Sequence, residues 1–73
     1  MKAINANDAI RILRRAGFVF DRQAKGSHEV WYNPATRRRV LVANHGSRDI
    51  PKKTVRKMIK QSGLSPDKFY SLS

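Results

Sequence analysis

The sequence predicts an α+β fold of order α-β-β-β-α, in which two helices lie on one face of a three-stranded antiparallel sheet. Three observations support this prediction: an amphipathic helical pattern near each end of the chain, a middle stretch rich in β-forming residues, and the short connections typical of an antiparallel meander. Because a chain of 73 residues can bury only one core, residues 1–73 are interpreted as a single domain.

The first helix is predicted from about Ala6 to Ala16. Apolar residues recur on one side of it at about 100° per residue, and arginines occupy the other side. Asn5 stands at the N-cap position, and Asp8, three residues later, can complete a capping box with it. Gly17 follows the last apolar turn, where a left-handed C-terminal cap is expected.

Three strands are predicted in the middle of the chain, at residues 18–23, 28–32 and 37–43. A loop over Ala24–Ser27 connects the first two, and a proline-containing turn over Asn33–Thr36 connects the last two. Within the third strand, the apolar run Val40–Ala43 is interpreted as a buried, central segment. Trp31 and Tyr32 point to opposite sides of the second strand, so we expect one in the core and the other available to stack on a nucleic-acid base.

The second helix is predicted from Pro51 to about Ser62, with a buried face at i, i+3, i+4 and i+7 and basic residues over the rest of its surface. Gly63 is expected to end it. A short capped turn follows, in which Ser65 is the N-cap and Phe69 and Leu72 return to the core. Both helices therefore have one apolar face, which favours packing on the same side of the sheet.

The charge balance is strongly basic: 16 lysines and arginines against 5 acids give a net charge of +11 and a pI near 11.3. Such an excess repels itself in the folded state and attracts polyanions, so RNA or DNA is the leading class of partner. An acidic protein is the next class and is compatible with the first. A membrane surface fits less well, because neither helix combines a basic face with a broad aromatic one.

Several classes of chemistry lack their residues in this sequence. There is no cysteine, which excludes disulfides, thiol nucleophiles and thiolate zinc sites. Phosphate-binding-loop, GxGxxG and HExxH motifs are also missing. The acids are scattered, whereas a two-metal nuclease needs clustered carboxylates, so we expect no metal and no cofactor. No apolar run approaches the ~20 residues of a membrane span and no signal-peptide core follows Met1, so we expect a cytoplasmic protein.

Acid–base chemistry, if the chain is an enzyme, falls on His28 or His45, because histidine exchanges protons near neutral pH. His28 closes the tripeptide Gly26–His28, where a basic loop enters a strand, and Lys25 and Arg22 beside it can neutralise a phosphate. A histidine in such a place can take a proton from a ribose 2′-OH or donate one to a leaving 5′-oxygen. The alternatives are a surface strand residue for His28 and, for His45, a phosphate ligand or an ordinary loop residue.

Lys52 and Lys53 stand in the first turn of the second helix, where the helix dipole disfavours each cation by ~0.3–1 kcal/mol. Stability therefore does not explain them. A helix N-terminus binds anions, and two lysines strengthen it for phosphate; the alternative is a solvated basic face. The candidate RNA contacts are thus Arg22, Lys25, Gly26, Ser27, His45, Lys52 and Lys53, with His28 as the candidate catalytic residue.

The motifs form an ordered set along the chain: Leu13-x-x-Ala16-Gly17-Phe18, Lys25-Gly26-Ser27-His28, an apolar strand followed by His45, Lys52-x-Thr54-x-Arg56-x-x-Ile59-x-x-x-Gly63-Leu64, and a terminal Phe69. This set, from about Asn5 to Phe69, resembles HicA-type toxins, the mRNA-cleaving halves of bacterial and archaeal toxin–antitoxin pairs. Gly-Ser-His alone is not specific for that family, but the whole set at this length and charge is fairly specific.

The resemblance implies a double-stranded-RNA-binding-domain-like fold and ribonuclease activity that rests on one histidine, His28. It also implies an acidic HicB-type antitoxin that blocks the site, and we expect the toxin to be a monomer when free. His45 matches a frequent family histidine. The pair Ala43-Asn44 departs from the proline-containing pair that often precedes that histidine, which leaves the local loop shape open.

Two functions from different classes follow from these features. The first is a toxin that acts as a metal-independent mRNA endoribonuclease, which a histidine after a glycine-containing basic loop favours. The second is a non-catalytic double-stranded-RNA-binding-like module, which requires only the charge pattern and the lysines that open the second helix. A basic ribosome-associated protein is a more distant third.

Overall fold

A computed structural model describes residues 3–73 of the chain. Met1 and Lys2, which the single-domain prediction includes, lie outside the described residues. The elements in chain order are α1 (Ala6–Arg15), β1 (Val19–Gln23), β2 (His28–Asn33), β3 (Arg38–Ala43), α2 (Lys52–Ser62) and α3 (Pro66–Ser71). The strands form one antiparallel sheet in the order β1-β2-β3. The predicted α+β, double-stranded-RNA-binding-domain-like fold is confirmed, and the expected terminal turn is the short helix α3.

The start of α1 has the capping box expected from the sequence. Asn5 Oδ1 accepts a hydrogen bond from the Asp8 backbone N–H at 2.9 Å, and the Asp8 carboxylate accepts one from the Asn5 backbone N–H at 3.0 Å. Two N–H groups at the helix start are thereby satisfied, an arrangement worth about 1 kcal/mol. The helix ends at Arg15, one residue before the predicted end, and Gly17 follows in the left-handed conformation.

The core lies between the two long helices and one face of the sheet. Ile12 and Leu13 of α1 and Met58 of α2 are buried there, against Val40 and Val42 of β3. Packing on a single face explains a wrong prediction, that the whole run from Val40 to Ala43 is buried and central. β3 is an edge strand, and Leu41, whose side chain points to the opposite face, is 42% exposed.

Trp31 is the aromatic residue that β2 contributes to the core, which the sequence left undecided between Trp31 and Tyr32. The rings of Phe20 and Trp31 meet edge to face with their centroids 5.8 Å apart, and the Arg14 guanidinium lies over the Trp31 ring, 5.2 Å from its centroid. Tyr32, on the opposite face, is half-buried under the Arg39 guanidinium at 4.6 Å. One face of its ring is therefore already covered, which makes Tyr32 a weaker candidate for stacking on a base.

The C-terminal helices close the other end of the core. Gly63 ends α2 with a φ of 78°, and a Cβ at this position would collide with the Arg38 side chain, so both the conformation and the contact require glycine. Ser65 caps α3 by accepting a hydrogen bond from the Lys68 backbone N–H at 3.1 Å. Phe69 of α3 is completely buried, as predicted.

Candidate functional site

A cleft of about 220 Å³ opens where α2 lies along the free edge of β3. We call it the His28 cleft. Its walls come from the end of the sheet and from one side of α2, and they are formed by His28, Leu41, Ala43, Thr54, Lys57, Met58 and Gln61. The candidate catalytic histidine therefore faces a concave surface shared by two elements that are far apart in sequence.

Strand pairing and one side-chain contact set the shape of this cleft. His28 pairs with Ala43 across the β2–β3 ladder, and both residues line the cleft. Gln61 Oε1 accepts a hydrogen bond from the Leu41 backbone N–H at 3.1 Å. Because Leu41 lies on the edge strand, this bond joins α2 to the edge of the sheet.

The loop before His28 is held by its own main chain. The His28 N–H donates to the Lys25 carbonyl at 3.3 Å, and the His28 carbonyl accepts from the Ala24 N–H at 2.8 Å. The Gln23 side-chain amide donates to the carbonyls of Gly26 at 3.1 Å and His28 at 3.0 Å. Gly26 has a φ of 65°, and apart from its two chain neighbours no described residue has an atom within 4 Å of the position of a Cβ there. Its glycine is thus explained by conformation and not by a close neighbour.

His45 lies in a second cleft beside the first. This His45 cleft shares Ala43 and Thr54 with the His28 cleft, and its lining residues are Ala43, His45, Arg48, Asp49, Ile50, Pro51 and Thr54. The two candidate histidines, which stand at the start of β2 and just after β3, therefore open onto adjacent concave surfaces.

Asn44 fixes the loop that carries His45. Its backbone N–H donates to the Ser27 carbonyl at 2.9 Å, and its side-chain amide donates to the Glu29 carboxylate at 2.7 Å. The Asn44 side-chain oxygen accepts from the Gly46 N–H at 3.1 Å. Glu29 also accepts from the Trp31 indole at 3.1 Å, so the loop is tied to the core. Where the family pattern often has a proline, this chain therefore holds the loop with the hydrogen bonds of Asn44.

The other sequence-predicted contacts lie outside the His28 cleft. Arg22 on β1 makes an ion pair with Asp21 at 2.7 Å, and Asp21 also lies 4.0 Å from Arg39. Lys25 is exposed in the β1–β2 loop. The structure therefore places His28 and His45 in adjacent clefts and bonds Ser27 to Asn44 beside His45, whereas Arg22, Lys25 and Gly26 line neither cleft.

Lys52 and Lys53 are exposed in the first turn of α2, next to the His45 cleft. The residue at the N-cap is Pro51, which offers no side-chain hydrogen bond, and the first turn contains no acid. Backbone N–H groups at this helix start are consequently available to an anion, with two ammonium groups beside them.

Changing Lys52 and Lys53 together to glutamine is expected to weaken RNA binding. The slope of log K against log salt concentration should become less steep by up to ~2, and by less for single strands. Because the lysines oppose the helix dipole, the melting temperature should not fall. Fluorescence anisotropy over a salt series and thermal unfolding measure the two effects. The charge-matched control is Lys60→Gln with Lys68→Gln. A lower melting temperature with unchanged RNA affinity would instead make the two lysines structural.

Sequence reasoning missed the α2 side of the His28 cleft. Thr54, Lys57 and Gln61 recur at the spacing of successive helical turns and so share one face of α2. The spacing is visible in the sequence, but from sequence alone these three residues are indistinguishable from a solvent-exposed polar face. The position of α2 against β3 is needed to place them in the cleft.

The clefts differ in the acids that they contain. No carboxylate is among the residues that line the His28 cleft, and Asp49 lines the His45 cleft. Among residues 3–73, no group of three or more histidines and acids is close enough to hold a metal ion. Over the same residues, none of the helices has the length and apolar character needed to cross a bilayer.

Comparison with known families places most of the chain in one of them. A family model described as "HicA toxin of bacterial toxin-antitoxin" matches residues 6–64, from the start of α1 to just beyond the end of α2. A search of curated proteins gave no match. The matched segment contains both clefts.

Proposed function

The chain belongs to the HicA toxin family of toxin–antitoxin systems, and from this membership we propose that it is an endoribonuclease that cleaves mRNA without a metal ion. His28 is the proposed general acid or base. The observation that carries the proposal is the His28 cleft, which is lined by a histidine at the start of β2 and by the ammonium group of Lys57, and by no carboxylate. Such a cleft suits the binding of a phosphodiester next to a group that can transfer a proton to or from it.

The reaction that fits these residues is transfer within the RNA chain. His28 takes the proton of a ribose 2′-OH, or donates a proton to the leaving 5′-oxygen. The 2′-oxygen bonds to phosphorus as the bond between phosphorus and the 5′-oxygen breaks, so the products are a 2′,3′-cyclic phosphate and a 5′-hydroxyl. His45, in the adjacent cleft, either exchanges the second proton or contacts the phosphate. Cations around the cleft offset the negative charge that develops on the phosphate.

The distribution of acids supports a mechanism without metal. Two-metal nucleases hold their ions between clustered carboxylates. Here Asp8 is in the α1 capping box, Asp21 pairs with arginines, and Glu29 accepts hydrogen bonds from Trp31 and Asn44. These three carboxylates already have structural partners away from the cleft.

A non-catalytic RNA-binding module is the second candidate function. The observation that favours it is the uncapped start of α2 with Lys52 and Lys53 exposed, which suits phosphate binding without any chemistry. In this alternative His28 is a surface residue and the basic face alone accounts for the charge of +11.

Incubating the purified protein with RNA in the presence of chelator distinguishes the two functions. The endoribonuclease shortens the RNA and leaves 5′-hydroxyl ends, whereas the binding module only retards the RNA in a gel. The matched control is a DNA strand of the same sequence. It should stay intact, because it lacks the 2′-hydroxyl group that acts as the nucleophile. Activity that disappears in chelator and returns with magnesium would rule out the mechanism without metal.

An acidic antitoxin of the HicB type is the proposed protein partner. The face of the sheet that α1 and α2 leave open supports this proposal, because Val19 is 52% exposed there and Leu41 42% exposed. Exposed apolar side chains within a strongly basic surface suit a protein with an acidic, partly apolar face. Since His28 lies at the rim of the same face, we propose that the antitoxin covers His28 and part of the Lys52–Lys53 surface and competes directly with RNA.

A further inference from the structure

We infer that Lys57 holds the phosphate that is cleaved, and that Lys52 and Lys53 bind phosphates further along the RNA. This inference rests on the proposed ribonuclease function and assigns a role within the same site. Lys57 supplies the one ammonium group among the described residues that line the His28 cleft, and His28 lines the same cleft. Lys52 and Lys53 lie outside that lining, at the start of the helix.

Lys57 is free to bind an anion. No ion pair joins it to a carboxylate of the described residues, and no acid lines the cleft. The base of its side chain is nevertheless well fixed, because its neighbour Met58 is 1% exposed in the core and Gln61, one turn later, is bonded to the edge of β3. A charged group on a rigid helix keeps its position better than one on a loop.

The polar side chains that α2 places beside Lys57 can donate hydrogen bonds. Thr54, about one turn earlier, has a hydroxyl that can donate. Gln61 uses its carbonyl oxygen to accept from the Leu41 N–H, which leaves its NH₂ group for another partner. An ammonium, a hydroxyl and an amide NH₂ on one helical face match the non-bridging oxygens of a phosphodiester, which only accept hydrogen bonds.

The two sets of lysines should therefore act at different stages of the reaction. A cation beside the reacting phosphate meets more negative charge in the transition state than in the bound substrate, so its loss lowers kcat. A cation at a distant phosphate stabilises both states equally, so its loss raises KM or the Kd. Lys57 is assigned the first behaviour, and Lys52 with Lys53 the second.

The test compares Lys57→Gln with Lys60→Gln, a matched change on the same helix at a lysine that does not line the His28 cleft. We expect Lys57→Gln to lower kcat on the order of 10²-fold, with a smaller rise in KM because the contact is already present in the bound substrate. Lys57→Arg, which keeps the charge, should recover part of this loss. Lys60→Gln should cleave at the wild-type rate, and thermal unfolding should show the same melting temperature for all variants.

Two outcomes would overturn the inference: wild-type kcat in Lys57→Gln, or equal losses in Lys57→Gln and Lys60→Gln. If the wild-type protein cleaves no RNA at all, the proposed function fails instead. Whether Lys57 contacts a phosphate is then tested by the affinity of the same variants for a short DNA strand, which cannot be cleaved through a 2′-hydroxyl group. Weaker binding in Lys57→Gln than in Lys60→Gln would support a phosphate contact at Lys57, and equal affinities would remove it.

Discussion

Replacing His28 with alanine is expected to lower the rate of RNA cleavage by about 10²–10⁴-fold, the usual contribution of one positioned acid–base group. RNA affinity and the melting temperature should stay close to those of the wild type. The side chain is exposed, and the hydrogen bonds that hold this segment come from its backbone N–H and carbonyl, which alanine retains. Single-turnover cleavage, RNA binding and thermal unfolding measure the three quantities separately.

His45→Ala is the matched control, since it removes the same side chain from the neighbouring cleft. Its loop stays tied through Asn44 to Ser27 and Glu29, so the variant should fold normally. We expect it to cost less activity than His28→Ala. If the His28 variant still arrests growth and degrades RNA at the normal rate, His28 is not the catalytic residue.

The second large effect is expected from the proposed antitoxin, which should abolish both RNA binding and RNA cleavage in the purified complex. The physical basis is occlusion, because His28 lies at the rim of the open sheet face and its cleft adjoins the His45 cleft at the start of α2. Opposite charges would also speed the encounter of the two proteins. Co-expression with an acidic protein encoded beside this one should rescue growth, and electrophoretic mobility should show no RNA bound to the complex.

Val19→Asp separates antitoxin binding from catalysis. Val19 is exposed on β1 and does not line the His28 cleft, so an acid there should repel the antitoxin while RNA cleavage by the free toxin continues. Growth rescue should then weaken. A complex that forms tightly but leaves RNA cleavage intact would contradict occlusion and point to inhibition at another surface.

Local sequence patterns predicted those parts of the fold whose causes are local. The capping box between Asn5 and Asp8 spans three residues, and the left-handed glycines after α1 and α2 terminate their own helices. The order of helices and strands follows from the same kind of signal, a hydrophobic period read within one segment. His28 could be singled out in this way as well, because its motif is contiguous.

Local sequence patterns could not predict which residues meet when distant segments of the chain pack together. Whether Trp31 or Tyr32 entered the core depended on which face of the sheet the helices cover, and both choices satisfy the period of two. The wrong expectation that Leu41 is buried has the same origin, since an apolar run does not reveal whether its strand is central or at an edge.

By itself, the sequence determined the fold class and the strongly basic net charge, and it made His28 the candidate for acid–base chemistry, because each of these depends on composition or on neighbours along the chain. Only the tertiary structure decided that Lys57 shares a cleft with His28 and that His45 lies beside it. Those relations depend on how α2 is rotated about its axis and on the register of β2 against β3. Buried side chains from the whole core set both, and no single segment contains them.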